Sequence, residues 1–175
     1  MATSCSLLKK PDKMKNTITV RTIAPADNAA LAKIIRNSLE EFNANKPGTV
    51  YFDPTTDNLA EVFKTAKSIY YVAEEDGHIV GGAGIYPTPN LPDATCELVK
   101  LYLTANARGK GLGKMLMEKC FDAARVFGYK KIYLESMPEL NIAVPMYEKM
   151  GFTYLKAPQG NSGHCGCDIW MIKEL

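Results

Sequence analysis

Leu101-Tyr102-Leu103-Thr104-Ala105-Asn106-Ala107-Arg108-Gly109-Lys110-Gly111-Leu112-Gly113-Lys114 joins an alternating apolar segment to a helix-like one through glycines set two residues apart. Glycine lets a backbone come close to a bound anion, and the unpaired N–H groups and dipole of a helix N-terminus attract negative charge. Two familiar phosphate loops do not fit this stretch. A Walker A loop counted back from Gly113-Lys114 meets Arg108 where its first glycine belongs and Met115 where its hydroxyl belongs. A dinucleotide fingerprint needs glycine at Lys114 in one register and at Leu116 in the other. What remains is R-x-x-G-x-G at the mouth of a helix, an anion site of another kind.

Outward from the loop, residues 95–103 read as a strand, with Glu97, Val99 and Leu101 alternating onto one face. Residues 111–127 read as a helix, with Leu112, Leu116, Cys120, Ala123 and Phe127 inward and Gly128 as its stop. Upstream, residues 17–23 are β-branched and alternating, and Leu31, Ile34, Ile35, Leu39 and Phe42 mark an amphipathic helix. Asp57 can cap a second helix carrying Leu59, Val62, Phe63 and Ala66. Residues 69–75 and 78–86 flank Asp76-Gly77, a pair suited to a tight hairpin turn. Downstream, a strand at 131–135, a helix at 141–150 ending at Gly151, and strands at 152–156 and 168–173 complete the chain. The order β-α-α-β-β-β-α-β-α-β-β predicts an α/β fold, a mixed sheet with helices on both faces.

The chain has 175 residues, 46% hydrophobic and 23% charged, which fits one domain over residues 17–175 preceded by a flexible leader over residues 1–16. The net charge is +2; Lys9, Lys10, Lys13 and Lys15 against Asp12 put +3 in the first fifteen residues, leaving −1 for the rest. A domain of that balance has no basic stripe for nucleic acid, so no nucleic-acid partner is expected. No run is long and apolar enough for a membrane span or a secretory signal, so a cytoplasmic location without membrane attachment is expected. Cys5, Cys96, Cys120, Cys165 and Cys167 are odd in number and irregularly spaced, which suits free thiols. His164 beside Cys165 and Cys167 lacks the ligand set of a zinc site, so no metal is expected.

Together with the later run Asn141-Ile142-Ala143-Val144-Pro145-Met146-Tyr147-Glu148-Lys149-Met150-Gly151-Phe152, the loop resembles the GCN5-related N-acetyltransferases (GNAT), and the element order matches across residues 17–175. The resemblance implies a GNAT acyl-CoA N-acyltransferase fold, acetyl-CoA as co-substrate and a small-molecule or peptide amine as acceptor, and it leaves room for a homodimer. It places Leu101, Tyr102 and Leu103 along the pantetheine, with the Leu101 N–H facing the developing oxyanion. Arg108, Gly109, Lys110, Gly111, Leu112, Gly113 and Lys114 fall around the pyrophosphate, and Asn141 is a further cofactor contact. The family spaces its Asn and Tyr one residue further apart than Asn141 and Tyr147 lie here.

The resemblance makes Tyr147 the donor to the departing thiolate; the same tyrosine on an amphipathic helix also reads as core. Complete transfer from a phenol near 10 to a thiol near 8.5 is uphill by about 2 kcal/mol, so a hydrogen bond is role enough. Glu97 matches the family's general base, which an amine acceptor requires because an alkylammonium is mostly protonated at neutral pH. A strand-end glutamate that binds acceptor charge, or faces solvent, has the same sequence signature. The loops at 43–54, 87–92 and 160–166 are expected to shape the acceptor site. The activity implied is N-acetyl transfer by direct attack in a ternary complex. A CoA-binding sensor or scaffold without turnover has the same sequence signature.

Overall fold

A computed structural model describes residues 17–175; the expected leader, residues 1–16, lies outside the described residues. The strands are β1 (Ile18–Thr22), β2 (Ile69–Glu75), β3 (His78–Tyr86), β4 (Thr95–Leu103), β5 (Lys131–Ser136), β6 (Thr153–Tyr154) and β7 (Ile169–Glu174). The α-helices are α1 (Asn28–Glu41), α2 (Leu59–Val62), α3 (Leu112–Val126) and α4 (Ala143–Lys149). The strands form one mixed sheet in the order β1-β2-β3-β4-β5-β7-β6, and β4 and β5 are its parallel pair. The expected α/β architecture and element order are therefore present.

Each face of the sheet carries its own core. Leu116, Met117, Cys120, Phe121 and Ala124 of α3 pack on Cys96, Leu98, Ile132 and Leu134. Leu31, Ile35 and Leu39 of α1 pack with Leu59, Phe63, Tyr70, Val72 and Met137 on the other face. Cys120 is fully buried among apolar neighbours, a packing thiol as expected of its helix face.

The strand phase of β4 differs from the sequence expectation. Gly84 pairs with Val99 but Gly82 pairs with Tyr102, so Lys100 and Leu101 together oppose one residue of β3, and Lys100 takes φ 51°. This is a β-bulge, and it shifts the side-chain alternation by one. Glu97 and Val99 face α1, whereas Leu101 and Leu103 join the α3 core beyond the bulge. The three residues expected on one face are thus divided between two.

A tyrosine holds the bulge. The Tyr70 ring lies across β3 where Gly82 and Gly84 have no side chains; a Cβ at either would come within 2.7 Å of that ring. Its hydroxyl donates to the Lys100 carbonyl at 2.8 Å.

Other differences are local. The second helix is shorter than its periodicity predicts: Pro54–Asn58 form a 3-10 turn, α2 ends at Val62, and Ala66, expected inward, is exposed. Lys67 at φ 60° turns the chain into β2 instead of extending the helix. Asp57 does not cap it, because its carboxylate is bound by Arg36 at 2.6 and 2.7 Å; Asp53 caps the 3-10 turn, accepting from the Thr55 N–H at 2.8 Å. The last helix begins at Ala143, so Pro145 falls in its first turn, where the missing N–H has no intrahelical role. The strand expected at 152–156 is reduced to Thr153 and Tyr154, an exposed edge pair on β7.

Replacing Tyr70 by Phe should cost about 1–3 kcal/mol in urea unfolding, because the part-buried Lys100 carbonyl loses its side-chain partner while the ring packing is kept. A variant as stable as the parent would show that the bulge stands without that bond.

Candidate active site

β4 and β5 pair only at Thr95/Lys131, Cys96/Ile132 and Glu97/Tyr133, after which they diverge. The opening is a groove of about 420 Å³. Leu98, Leu101, Tyr102 and Leu103 line it from β4, Ala143, Met146 and Tyr147 from α4, and Gly109, Gly111, Gly113 and Lys114 stand at its mouth. Of the residues expected at the cofactor, Leu101, Tyr102, Leu103, Arg108, Gly109, Gly111, Gly113 and Lys114 line this groove, and Lys110, Leu112 and Asn141 do not.

The mouth owes its shape to backbone. Gly109 and Gly111 adopt φ 74° and 82°, a region that side chains disfavour, and Gly111 precedes α3 with no side-chain cap. The N–H groups of the first turn of this fifteen-residue helix are therefore unclaimed by any capping side chain. Leu112, expected with the loop, is instead buried at the start of α3.

The cations of the loop are engaged within the protein. The Arg108 guanidinium holds Glu41 of α1 at 2.7 and 2.8 Å, donates through Nε to the Leu103 carbonyl at 3.0 Å, and lies over the Phe42 ring. It pins the end of β4 to α1. Lys110 pairs with Glu75 at 2.7 Å and Lys114 with Glu118 at 3.6 Å. Asn141 is exposed in the turn before α4, where Leu140 and Ile142 line the groove on either side of it.

Tyr147 is 6% exposed, packs edge-on against Phe152, and forms part of the groove wall. Burial lifts its phenol above the ordinary range. That makes proton transfer to a thiolate still less favourable and leaves hydrogen bonding as what the residue can supply.

A second cavity of about 490 Å³ opens on the α1 face of β4, lined by Phe52, Asp53, Phe63, Tyr86, Glu97, Lys100, Glu135 and His164 among others. Leu98, Lys100, Tyr102, Glu135, Ser136 and Leu140 border both spaces, so the two meet at this wall. Residues of the loops at 43–54, 87–92 and 160–166 line this cavity and are bonded to their surroundings. Asn161 N–H donates to the Pro89 carbonyl at 2.7 Å, Gly166 N–H to the Gly48 carbonyl at 3.0 Å, and Ser162 Oγ to Glu135 at 2.7 Å.

Glu97 is 4% exposed and accepts a hydrogen bond from the Thr88 hydroxyl. Burial, with the Glu135 charge adding to it, raises its pKa to about 7 against the lowering effects of Thr88 and Lys100. A carboxyl poised there can hold or release a proton at neutral pH, as a general base must.

Asp53 and Lys100 were not singled out by sequence reasoning. Lys100 Nζ lies 3.0 Å from the Asp53 carboxylate and 3.3 Å from Thr56 Oγ1, and His164 Nε2 stands 3.4 Å from the same carboxylate. Burial alone would raise the Asp53 pKa, but the Lys100 charge and the Thr55 hydrogen bonds hold it far below the usual carboxylate range. Burial lowers the Lys100 pKa in spite of Asp53. A lysine inside the apolar run Leu98-Val99-Lys100-Leu101-Tyr102 was the available signal. Among the described residues no three His, Cys, Asp or Glu side chains gather as a metal-ligating group.

The model of the acetyltransferase (GNAT) family matches residues 33–152, more than half of the chain. The chain belongs to the GNAT family. Within it, the chain is 37% identical over 158 residues to the uncharacterized N-acetyltransferase YjgM of Escherichia coli (strain K12), covering 89% of this chain and 94% of that protein. Among solved structures, a GNAT acetyltransferase of Staphylococcus aureus Mu50 superposes with a TM-score of 0.80 at 18% identity, covering 90% of this chain and 99% of that one. The PaiA N-acetyltransferase of Thermoplasma acidophilum, solved in complex with coenzyme A, gives 0.71 at 18% identity over 91% of this chain and 99% of that one. These two likenesses concern the fold. No helix among the described residues of this GNAT protein is long and apolar enough to cross a membrane.

Asp53→Asn should destabilise this GNAT protein by about 3–5 kcal/mol in denaturant unfolding at pH 7, because it leaves Lys100 buried without its counter-charge. The wild-type pair follows the matching pH course. Asp53 has a lowered folded pKa, so its contribution is complete above the unfolded value near 3.9 and fades as pH falls below it. An Asn variant of unchanged stability at pH 7 would mean that the ion pair contributes nothing net.

Proposed function

We propose that the protein transfers the acetyl group of acetyl-CoA to a primary amine by direct attack in a ternary complex. The observation that carries this reading is the shared wall: a glycine-mouthed groove lined by Tyr147 meets a cavity containing Glu97, whose pKa is about 7. Membership of the family and the coenzyme A found in the Thermoplasma relative support the choice of acyl donor.

Acetyl-CoA supplies an activated acyl thioester. The backbone amides from Gly109 to Lys114 hold its pyrophosphate, the β4 edge from Leu101 to Leu103 aligns the pantetheine as an added strand, and the Leu101 N–H receives the oxyanion. Glu97 takes a proton from the acceptor ammonium or from the attacking amine. Tyr147 donates a hydrogen bond to the departing sulfur. Arg108 acts at one remove, holding the β4–α3 turn on α1. Asn141 would bind the cofactor through a turn of its side chain toward the groove. The apolar walls from Phe52, Phe63 and Tyr86 bound the acceptor's body.

The deciding measurement is release of thiol from acetyl-CoA across polyamines, amino acids, aminoglycosides and peptides. Amine-dependent release supports transfer; CoA binding with no release for any amine would make the protein a sensor of the cofactor.

Gly111→Val should lower acetyl-CoA affinity about tenfold or more by calorimetry, since a branched residue is strained at φ 82° and the loop amides are displaced. No atom lies within 4 Å of a Cβ built there, so the core is not crowded by the change. Unchanged affinity in the folded variant would remove this loop from cofactor binding.

Glu97→Gln should abolish the ionisation near 7 in the kcat/KM profile, leaving only the limb set by the amine's own pKa. Wild-type activity should rise with pH through about 7, because the base must be ionised. A variant with the wild-type profile would show that water, not Glu97, carries the proton.

A further inference from the structure

The wall shared by the two cavities contains a buried polar atom that the roles above do not use. Ser136, the last residue of β5, is 2% exposed, and its Oγ has no hydrogen-bond partner among the described residues. Its backbone is engaged: the carbonyl accepts from the Asp168 N–H at 3.2 Å, and the residue pairs with Ile169 of β7. A buried hydroxyl without a partner weakens a fold unless something completes it. Ser136 borders both spaces, so its hydroxyl is open to a molecule bound at their junction.

The direction follows from strand alternation. Ile132 and Leu134 pack in the core that contains Tyr147, so Ser136 falls on the same side of the sheet as that tyrosine. It does so where β5 has already parted from β4. On the acyl-CoA reading of the groove, on which this inference rests, the pyrophosphate lies at the glycine mouth and the pantetheine amides lie along the β4 edge. The part that reaches the junction is the thioester, since there the amine must meet its carbonyl carbon. The carbonyl oxygen turns to the Leu101 N–H of β4, which leaves the sulfur toward β5 and α4.

We propose that the Ser136 hydroxyl donates a hydrogen bond to the acyl-CoA sulfur, a second donor beside Tyr147 at the bond that breaks. The amine nitrogen forms its bond to the carbonyl carbon, the C–S bond breaks with its electron pair on sulfur, and the proton lost by nitrogen passes through Glu97 and water to the thiolate. Ser136 keeps its own proton and lowers the energy of the charge on sulfur while it develops.

The test compares CoA with desulfo-CoA, in which hydrogen replaces the thiol, by calorimetry at pH 9, where a thiol of ordinary pKa near 8.5 is mostly ionised. Ser136→Ala should weaken CoA about three- to tenfold, leave desulfo-CoA unchanged, and leave Tm equal or higher, because the hydroxyl is unpaired in the free protein. With an amine from the screen, kcat should fall about tenfold while the KM for the amine stays constant. Equal weakening of both ligands would overturn the sulfur contact in favour of a pantetheine contact. Unchanged binding and kcat would overturn it outright, and a lower Tm with an unchanged ligand ratio would make Ser136 structural. Wild-type protein that binds neither ligand would overturn the acyl-CoA reading itself and this inference with it, a result distinguishable from the others before any variant is made.

Discussion

The hydrogen bond from the Tyr70 hydroxyl to the Lys100 carbonyl crosses an entire strand, and the arrangement around the groove depends on it. It is possible only because β3 has glycine at 82 and 84, so that an aromatic ring can lie where side chains would otherwise stand. What it secures is costly. Lysine in the left-handed region is disfavoured by about 1–2 kcal/mol, and a bulge gives up regular ladder bonding. In return β4 changes phase, presenting Glu97 and Val99 to one face and Leu101 and Leu103 to the other. A regular strand would put Glu97 and Leu101 on the same side; the bulge divides them between two cavities with a common wall.

Charge is distributed on the same plan. Asp53 and Lys100 offset each other inside the second cavity, and Tyr133 and Ser162 donate to Glu135 from β5 and from the loop before β7. Glu97 accepts a hydrogen bond from the Thr88 hydroxyl, but burial outweighs it and raises the pKa. Asp53 and Glu97 of the same cavity thus shift in opposite directions because their neighbours differ. The loop cations, which sequence alone would aim at phosphate, are tied to Glu41, Glu75 and Glu118. The N–H groups at the start of α3, by contrast, have no acidic side chain as a capping partner.

The elements with strong periodicity were legible in the sequence: α1 and α3, the hairpin about Asp76-Gly77 and the glycine loop, because each obeys a local rule. Glu97 and Tyr147 could be picked out through the resemblance, and both do stand beside the cavities. What could not be read was non-local. The bulge at Lys100 depends on a tyrosine thirty residues earlier and on glycines in the intervening strand, so a plain alternation placed Leu101 on the wrong face. Asp57 had the chemistry of a helix cap, but Arg36, brought near by folding, claims its carboxylate. The buried pair of Asp53 and Lys100 lies 47 residues apart in the chain and left only a lysine in an apolar run as its trace.

The raised pKa of Glu97 ties the chemistry to the thermodynamics of the fold. An acid that holds its proton more tightly when folded binds a proton that the unfolded chain has released, across the interval between the two pKa values. With a folded value of about 7 against an ordinary 4.5, the contribution of Glu97 to stability is greatest below that interval and declines as pH rises through it, the opposite course to that of Asp53. A shift of that size corresponds to about 3 kcal/mol, a sizeable part of the 5–15 kcal/mol on which a domain usually stands. Above it the loss is complete and constant. The ionised form, which on the proposed mechanism accepts a proton from an amine, is therefore the form in which Glu97 holds the folded chain less firmly. On the proposed role of Glu97, its contribution to heat tolerance and its competence as a base would then have opposite pH preferences, and a bound ammonium ion, by giving the carboxylate a counter-charge, would return part of the difference.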